Sequence, residues 1–459
     1  MTEGKSSRQV LTVLFLGVLM GALDIAIVGP ALPALRDAFG VDDRAVAWVF
    51  TIYVFFNLVG APLMSKLSDR YGRRAIYLLD IGLFALGSLG VAASMNFTML
   101  LVSRALQGIS AGGIWPVASA VVGDTFPQEK KGSALGLIGA VFGLAFIVGP
   151  ILGGILLLIS WHWLFLINLP LAVVIVVLGA RVLPTTHAAV RQPFDFAGLA
   201  LMAIFLAGLT FGVNQLDTAN VVQSLSSINV WPFLAAALVA VVAFAWVERR
   251  APDPLIQPNL FGSKQLVLAY LLSVGAGLGE AAMVFLPALA VAAFGMSESS
   301  ASFMLLPLVL AISVGSPLGG RLLNQLGSRM IILAGTVTLA LGMLLLGLFG
   351  ANMTSFIVAG ILIGFGLSSL LGAPIRYIML NEAPERDRTA AQGMVTISTG
   401  VGQLVSGALV GAVAASHGGG VDGYTLSYLF VAGAAAVLVV LSLGLQSRQD
   451  EMANAMQTA

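Results

Sequence analysis

Few side chains in this sequence could do chemistry away from water. Asp24, Asp80 and Glu280 stand inside long apolar runs, Asp124 closes another, and Arg104 and Arg376 interrupt two more. An ionisable group in such surroundings is a functional candidate, because its charged form is costly without a partner. Asp24 lies six residues before Pro30 in "GALDIAIVGPALPAL", and Glu280 lies in "GAGLGEAAMVFLPAL". Desolvation favours the neutral carboxyl, while a nearby Arg104 favours the carboxylate. A group balanced in this way can take a proton from one side and release it on the other. If Asp24 and Glu280 face each other across a cavity, cations and protons compete for one site, which suffices for exchange. The plainer reading of Asp24 is a structural acid satisfied by hydrogen bonds. Asp80 stands near the end of its run and is expected to pair with the Arg residues of the adjoining loop. Arg376, in "GAPIRYIMLNEAPERDR", reads equally as a site for anionic lipid, a site for an acidic substrate or a snorkelling side chain.

Other chemistries are excluded by what the chain lacks. It has no cysteine, so disulfides, zinc–thiolate sites, iron–sulfur clusters and Cys nucleophiles fall away. His162, His187 and His417 do not cluster, and no metal site is expected. Neither a phosphate-cradling Gly-Lys-Ser/Thr loop nor a Gly-x-Ser-x-Gly elbow occurs, so neither ATP nor an enzyme is expected, and no cofactor. A net charge of +1 gives no field for nucleic acid. No Lys lies within an apolar run, which excludes a retinal Schiff base, and nothing reads as a channel filter or charged ring.

The elements that must position these residues are membrane helices. The 459-residue chain is 58% hydrophobic, with a mean hydropathy of +0.99. Apolar windows of about 20 residues, the length that crosses a bilayer as helix, recur throughout. The 53 glycines suit close packing of such helices. The pattern predicts fourteen spans: 10–34, 46–64, 75–95, 98–122, 133–159, 162–182, 195–215, 229–247, 265–294, 300–323, 329–350, 353–380, 389–415 and 424–446. The first run could imitate a signal peptide, but it is too long, holds Asp24 and lacks a small-residue cleavage site. Of the 22 Lys and Arg residues, eighteen fall at the termini, in connections that follow even-numbered spans or at the span ends beside those connections. The opposite side has Arg36 and Arg44, while Arg104 and Arg376 fall within spans. The positive-inside rule then places both termini in the cytoplasm.

The stretch "SKLSDRYGRRAIYLL" (65–79) has an echo in "GRLLNQLGSRMIILA" (320–334), offset by 255 residues. Two six-span halves with two extra spans between them account for that distance, and such repeats mark transporters that rock one half against the other. "LPTTHAAVRQPFDF" (183–196) and "ERRAPDPLIQPNLFGSK" (248–264) break the composition. The expected organisation is a six-helix bundle over 1–182, an inserted two-helix hairpin with its linkers over 183–264, and a second six-helix bundle over 265–459.

Three stretches then resemble motifs of the major facilitator superfamily, specifically its 14-span drug:proton antiporter branch, over essentially the whole chain. The loop "SKLSDRYGRR" has Asp69, Arg70, Gly72, Arg73 and Arg74 in the family's places, with Ser65 where the family has Gly. In the family this Asp caps a neighbouring helix and pairs with Arg across the halves, so the resemblance implies a conformational latch. Independently, a carboxylate favours a helix N-terminus and can pair with a mobile Arg. The fourth span, "LVSRALQGISAGG", matches the buried-Arg motif at Arg104, Gln107, Gly108 and Gly112. This implies that Arg104 assists proton transfer at a nearby acid; snorkelling to an interface is the alternative. The fifth, "GLIGAVFGLAFIVGPILGG", matches the antiporter signature at Gly136, Gly149, Pro150, Gly153 and Gly154, with Ala145 for its middle Gly. Small residues there give a close-packed, bendable face. "WHWLFLINLP", with Trp161, Trp163, Phe165, Asn168 and Pro170, also looks like this branch.

The resemblance implies an all-α integral membrane protein with fourteen helices, two pseudo-symmetric bundles and an inserted hairpin. The implied activity is proton-coupled export of hydrophobic or cationic drugs across the cytoplasmic (inner) membrane by alternating access. Its partners would be that substrate, protons and membrane lipid, with the protein acting as a monomer. Lipid or glycolipid export by the same fold is the rival, and uptake symport is third. Adaptable apolar contacts to substrate are expected from Trp115, Phe142, Met283 and Phe285.

Overall fold

The computed structural model describes residues 3–185, 195–251, 254–384 and 387–451. His187, Arg191 and Arg386 therefore lie outside the described residues. Among the described residues every regular element is helical. Fourteen helices are long and apolar enough to cross a membrane, matching the predicted count. They are span 1 (Ser7–Phe39), span 2 (Asp43–Tyr71), span 3 (Arg73–Ala92), span 4 (Phe97–Thr125), span 5 (Lys130–Leu157), span 6 (His162–Val182) and span 7 (Phe196–Asn214). Then come span 8 (Trp231–Glu248), span 9 (Lys264–Phe294), span 10 (Glu298–Leu323), span 11 (Gln325–Phe349), span 12 (Met353–Glu382), span 13 (Ala390–Ser416) and span 14 (Gly420–Leu443).

Helix is forced on these segments because lipid offers no partner to a free backbone group. Their starts are set by short polar residues ahead of apolar runs. Asp42, Asn96 and Asp195 each accept from the backbone N–H three residues on, at 2.8, 2.8 and 2.7 Å. Breaks fall beside prolines: span 9 is interrupted at Phe285 before Pro287, and span 12 at Gly372 before Pro374.

Glycines set the close crossings. A side chain at Gly108 or Gly112 would strike the backbone carbonyls of Tyr53 and Asn57, so span 4 lies directly on span 2. In the second half, Gly364 of span 12 meets the Leu308 carbonyl of span 10 in the corresponding way. The two loops of the sequence echo adopt the same conformation. Gly72 (φ 96°) and Gly327 (φ 78°), 255 residues apart, both occupy the positive-φ region that glycine tolerates.

Spans 7 and 8 pack on each other, and span 7 also rests on spans 2 and 13. Trp48 Nε1 donates to Asn214 Oδ1 (3.0 Å), and an Arg44 Nη donates to the Leu216 carbonyl (3.2 Å). The first six and last six spans are joined at the end opposite the termini. Ser299 and Ser302 hydroxyls donate to the Gly154 and Pro150 carbonyls, both at 2.6 Å. On the other flank, Tyr424 donates to Asp43 at 2.7 Å, and Arg36 stands 3.4 Å from the same carboxyl oxygen.

Candidate functional site

Asp24 lies inside the first six-helix group, fully buried. Its Oδ2 accepts from an Arg104 Nη at 2.6 Å, with both side chains at 0% exposure. Oδ1 accepts from Gln107 Nε2 at 3.1 Å and Asn168 Nδ2 at 3.4 Å. Ser88 Oγ ties the two amides together, at 2.8 Å from Gln107 and 3.2 Å from Asn168. Arg104 also donates to Gln107 Oε1 (2.8 Å) and to the Val49 carbonyl (3.0 Å). Its guanidinium stands over the Tyr53 ring, 4.3 Å from the centroid, with Phe165 at 5.9 Å. The crossing of spans 2 and 4 brings Tyr53 and Val49 against Arg104. Gln107, three residues on, shares its face. Arg104 therefore does not snorkel. An ion pair so deep is held by mutual compensation, and removing either partner strands a charge.

Glu280 occupies different ground. Together with Ile25, Gly29, Phe50, Phe146, Met283, Leu305 and Gln403 it lines a cleft built from spans 1, 2, 5, 9, 10 and 13. Among the residues lining it, Glu280 is the one ionisable group. Gln403 is its hydrogen-bonding neighbour. That pairing follows from a reciprocal glycine crossing. Gly277 lies on the Thr399 carbonyl and Gly402 on the Val274 carbonyl, so spans 9 and 13 meet backbone to backbone. A cleft lined by both halves and holding one carboxyl can bind one proton among apolar walls.

The two acids do not face each other. Asp24 is not among the residues of the cleft; Ile25 is. The repeat offset of 255 explains this, since it matches Glu280 to Ile25 and Gly279 to Asp24. One residue turns a helix by about 100°, so one carboxyl points into its bundle and the other toward the seam. A side chain at Gly279 would meet Leu367 and Leu339 of spans 12 and 11.

Other candidates are placed as follows. Met283 lines the cleft, whereas Phe285 is 1% exposed and does not. Trp115 and Phe142 form an edge-on pair with centroids 5.4 Å apart, outside the cleft lining. In span 5, Gly149 lies on Ala26, and Gly153 lies against Pro30 and Ser302. Pro150 and Gly154 offer the carbonyls taken by the serines of span 10. Gly136 has nothing within 4 Å and is not part of that packed face. In the loop, Asp69 pairs with Arg73 of its own half, and Arg73 also reaches Asp124 Oδ2 (3.2 Å) and Ser68 Oγ (2.8 Å). Arg74 donates to the Ala180 carbonyl, Arg70 stands over the Tyr71 ring, and Gly72 makes the turn. Asp80 does not pair with the loop arginines: neither of its oxygens has a donor. Ser88, Tyr53 and Gln403 were not legible as site residues. Gln107 and Asn168, amides in otherwise apolar helices, were the available signal.

Comparison with known proteins agrees with this architecture. The family model for the Major Facilitator Superfamily matches residues 14–279 and 266–455. Multidrug resistance protein 3 of Bacillus subtilis (strain 168) is 31% identical over 422 residues, covering 89% of this chain and 80% of that protein. A triacylglyceride transporter of Mycobacteroides abscessus is 30% identical over 422 residues, covering 86% and 80%. The crystal structure of the nucleoside transporter NupG superposes with a TM-score of 0.67 at 13% identity, covering 95% of this chain and 99% of that one.

Proposed function

The chain belongs to the major facilitator superfamily, a family of transporters, and we propose that it exports hydrophobic or cationic drugs across the cytoplasmic membrane in exchange for protons. The observation that carries this reading is Glu280, the single ionisable side chain of an apolar cleft lined by both halves. A lone carboxylate there is poorly solvated, so the carrier changes state with a proton or a cation on it far more readily than with neither. Protons arriving from outside displace the cation outward. The neutral carrier returns, and a new cation displaces the proton into the cytoplasm. One site with two exclusive ligands couples the two fluxes.

Asp24 and Arg104 serve this cycle from inside the first bundle. Protonating Asp24 removes the charge that holds Arg104, leaving the guanidinium to Gln107, the Val49 carbonyl and the Tyr53 ring. The packing of spans 1, 2 and 4 then responds to proton binding. Asp69 and its arginines form the latch at the cytoplasmic end, here paired within its own half. The multidrug resistance protein among the relatives supports drug export.

Lipid or glycolipid export is the second reading, favoured by the relative that carries the name triacylglyceride transporter. Ethidium efflux in inverted vesicles, run beside a fluorescent-lipid flip assay, separates the two. Efflux that a protonophore stops, with no lipid movement, is the expected result. Equal dye movement with no pH difference and no voltage overturns the coupling.

A further inference from the structure

Asp80 is a buried acid that the exchange cycle above does not use. It sits in span 3 at 0% exposure, and both carboxyl oxygens are buried without a hydrogen-bond donor. Its niche exists because span 4 has glycine at 113. A methyl group there would collide with the Asp80 carboxyl and with Met64 of span 2. Gly113 of span 4 and Met64 of span 2 thus stand beside the carboxyl.

No titratable or charged side chain on the spans packed against span 3 donates to Asp80; on span 6, His162 meets Ser160 and Arg181 stands in the last turn. On span 3, Tyr77 turns its hydroxyl to the Val13 and Leu14 carbonyls of span 1, each at 3.3 Å. Arg73, seven residues before Asp80, is held by Asp69, Asp124 and Ser68, and Arg74 by the Ala180 carbonyl. On span 2, Lys66 and Arg70 belong to the loop end, with Arg70 over Tyr71. On span 4, Arg104 is committed to Asp24. An ionised carboxylate walled in without a donor is far more costly than the neutral acid, so this niche fits Asp80 only with its proton on.

We propose that Asp80 is a second proton-binding site, loaded in the conformation described here and separate from both Asp24 and Glu280. Release breaks its O–H bond and passes the proton to water. The carboxylate left behind no longer fits the closed Gly113 niche, so release parts span 3 from span 4 beside the latch loop. Arg73, a helix length of about 10 Å away at 1.5 Å per residue, is the cation able to receive it. The proton on Asp80 thus holds the loop-bearing ends of spans 2, 3 and 4 together.

This inference extends the proton-coupling reading, but its test looks at Asp80 alone. The full-length protein in liposomes is followed by infrared difference spectroscopy during a pH titration, with and without carbon-13 in the aspartate carboxyls. Expected is a carbonyl band from a protonated acid without hydrogen bonds that moves with the aspartate label and vanishes at alkaline pH. The band is expected to persist in Asp24→Asn and Glu280→Gln and to be absent from Asp80→Asn. Gly113→Ala, which presses on the carboxyl without removing it, is expected to shift the band, and it decides the question should Asp80→Asn not fold. A label-sensitive band set that is the same in wild type, Asp80→Asn and Gly113→Ala overturns the proposal. Loss of a label-insensitive band in Glu280→Gln reports on Glu280 separately, so the two ideas fail independently.

Discussion

At nearly matched depths of spans 1 and 9, two carboxyls meet opposite surroundings. Asp24 is enclosed by Arg104, Gln107, Asn168 and, through the amides, Ser88, all from its own bundle. Glu280 opens on the cleft between bundles with Gln403 beside it and no cation. The first arrangement neutralises its charge internally and the second leaves it for a visitor. What separates them is a shift of one residue in a repeat of 255, enough to turn a side chain from the bundle interior to the seam. The repeat copied the scaffold, and the register decided which copy has its carboxyl at the seam.

The strongest way to break this contrast is Arg104→Met. Stranding the buried Asp24 charge should destabilise the protein by about 3–5 kcal/mol, read as a lower unfolding midpoint in detergent. Stability unchanged in that variant would mean that Asp24 is neutral in the native state. Glu280→Gln should do the reverse, with stability within about 1 kcal/mol of wild type. Its proton-driven dye exchange should fall at least about tenfold, equivalent to roughly 1.4 kcal/mol. Full exchange in that variant would remove Glu280 from the cycle. The register argument is sharpened by the double variant Ile25→Glu with Glu280→Ile. It should recover part of the exchange that Glu280→Ile loses, measured in the same vesicles, whereas no recovery would show that Gln403 and span 9 matter beyond the position of the acid. The contact between the halves is tested by Tyr424→Phe. It removes a hydrogen bond to a charged group, worth about 1.5–3 kcal/mol at most, and should raise the population open at that end, seen as longer distances between spin labels on spans 2 and 14.

Much of the architecture was legible because lipid leaves a chain so few options. Fourteen apolar windows became fourteen helices, and the 65–79 echo became two glycine turns of one conformation. Arg104 was legible as a partner for an acid because nothing else in the helices near it could repay its burial. The direction of each carboxyl was not legible. Asp24 and Glu280 look equivalent in hydropathy, and the difference lies in a helical phase that only the packed neighbours Arg104 and Gln403 fix. Asp80 was misread for a related reason. Nearness in sequence to Arg73 and Arg74 suggested a pair, but those side chains reach Asp69, Asp124 and Ala180 instead. Phe285 was misplaced because two residues turn a helix by about 200°, which sets it on a different face from Met283, the one that lines the cleft.

The serine contacts between spans 5 and 10 have a consequence for how this carrier drifts over generations. Ser299 and Ser302 grip carbonyl oxygens of Gly154 and Pro150, and every amino acid supplies a carbonyl. That fastening is therefore written in one helix only. Span 5 is free to change its letters, within the room its small residues leave, while span 10 must keep its two hydroxyls. Being uncharged on both sides, the fastening is also indifferent to brine and to acid, so the environment beyond the membrane has little hold on it.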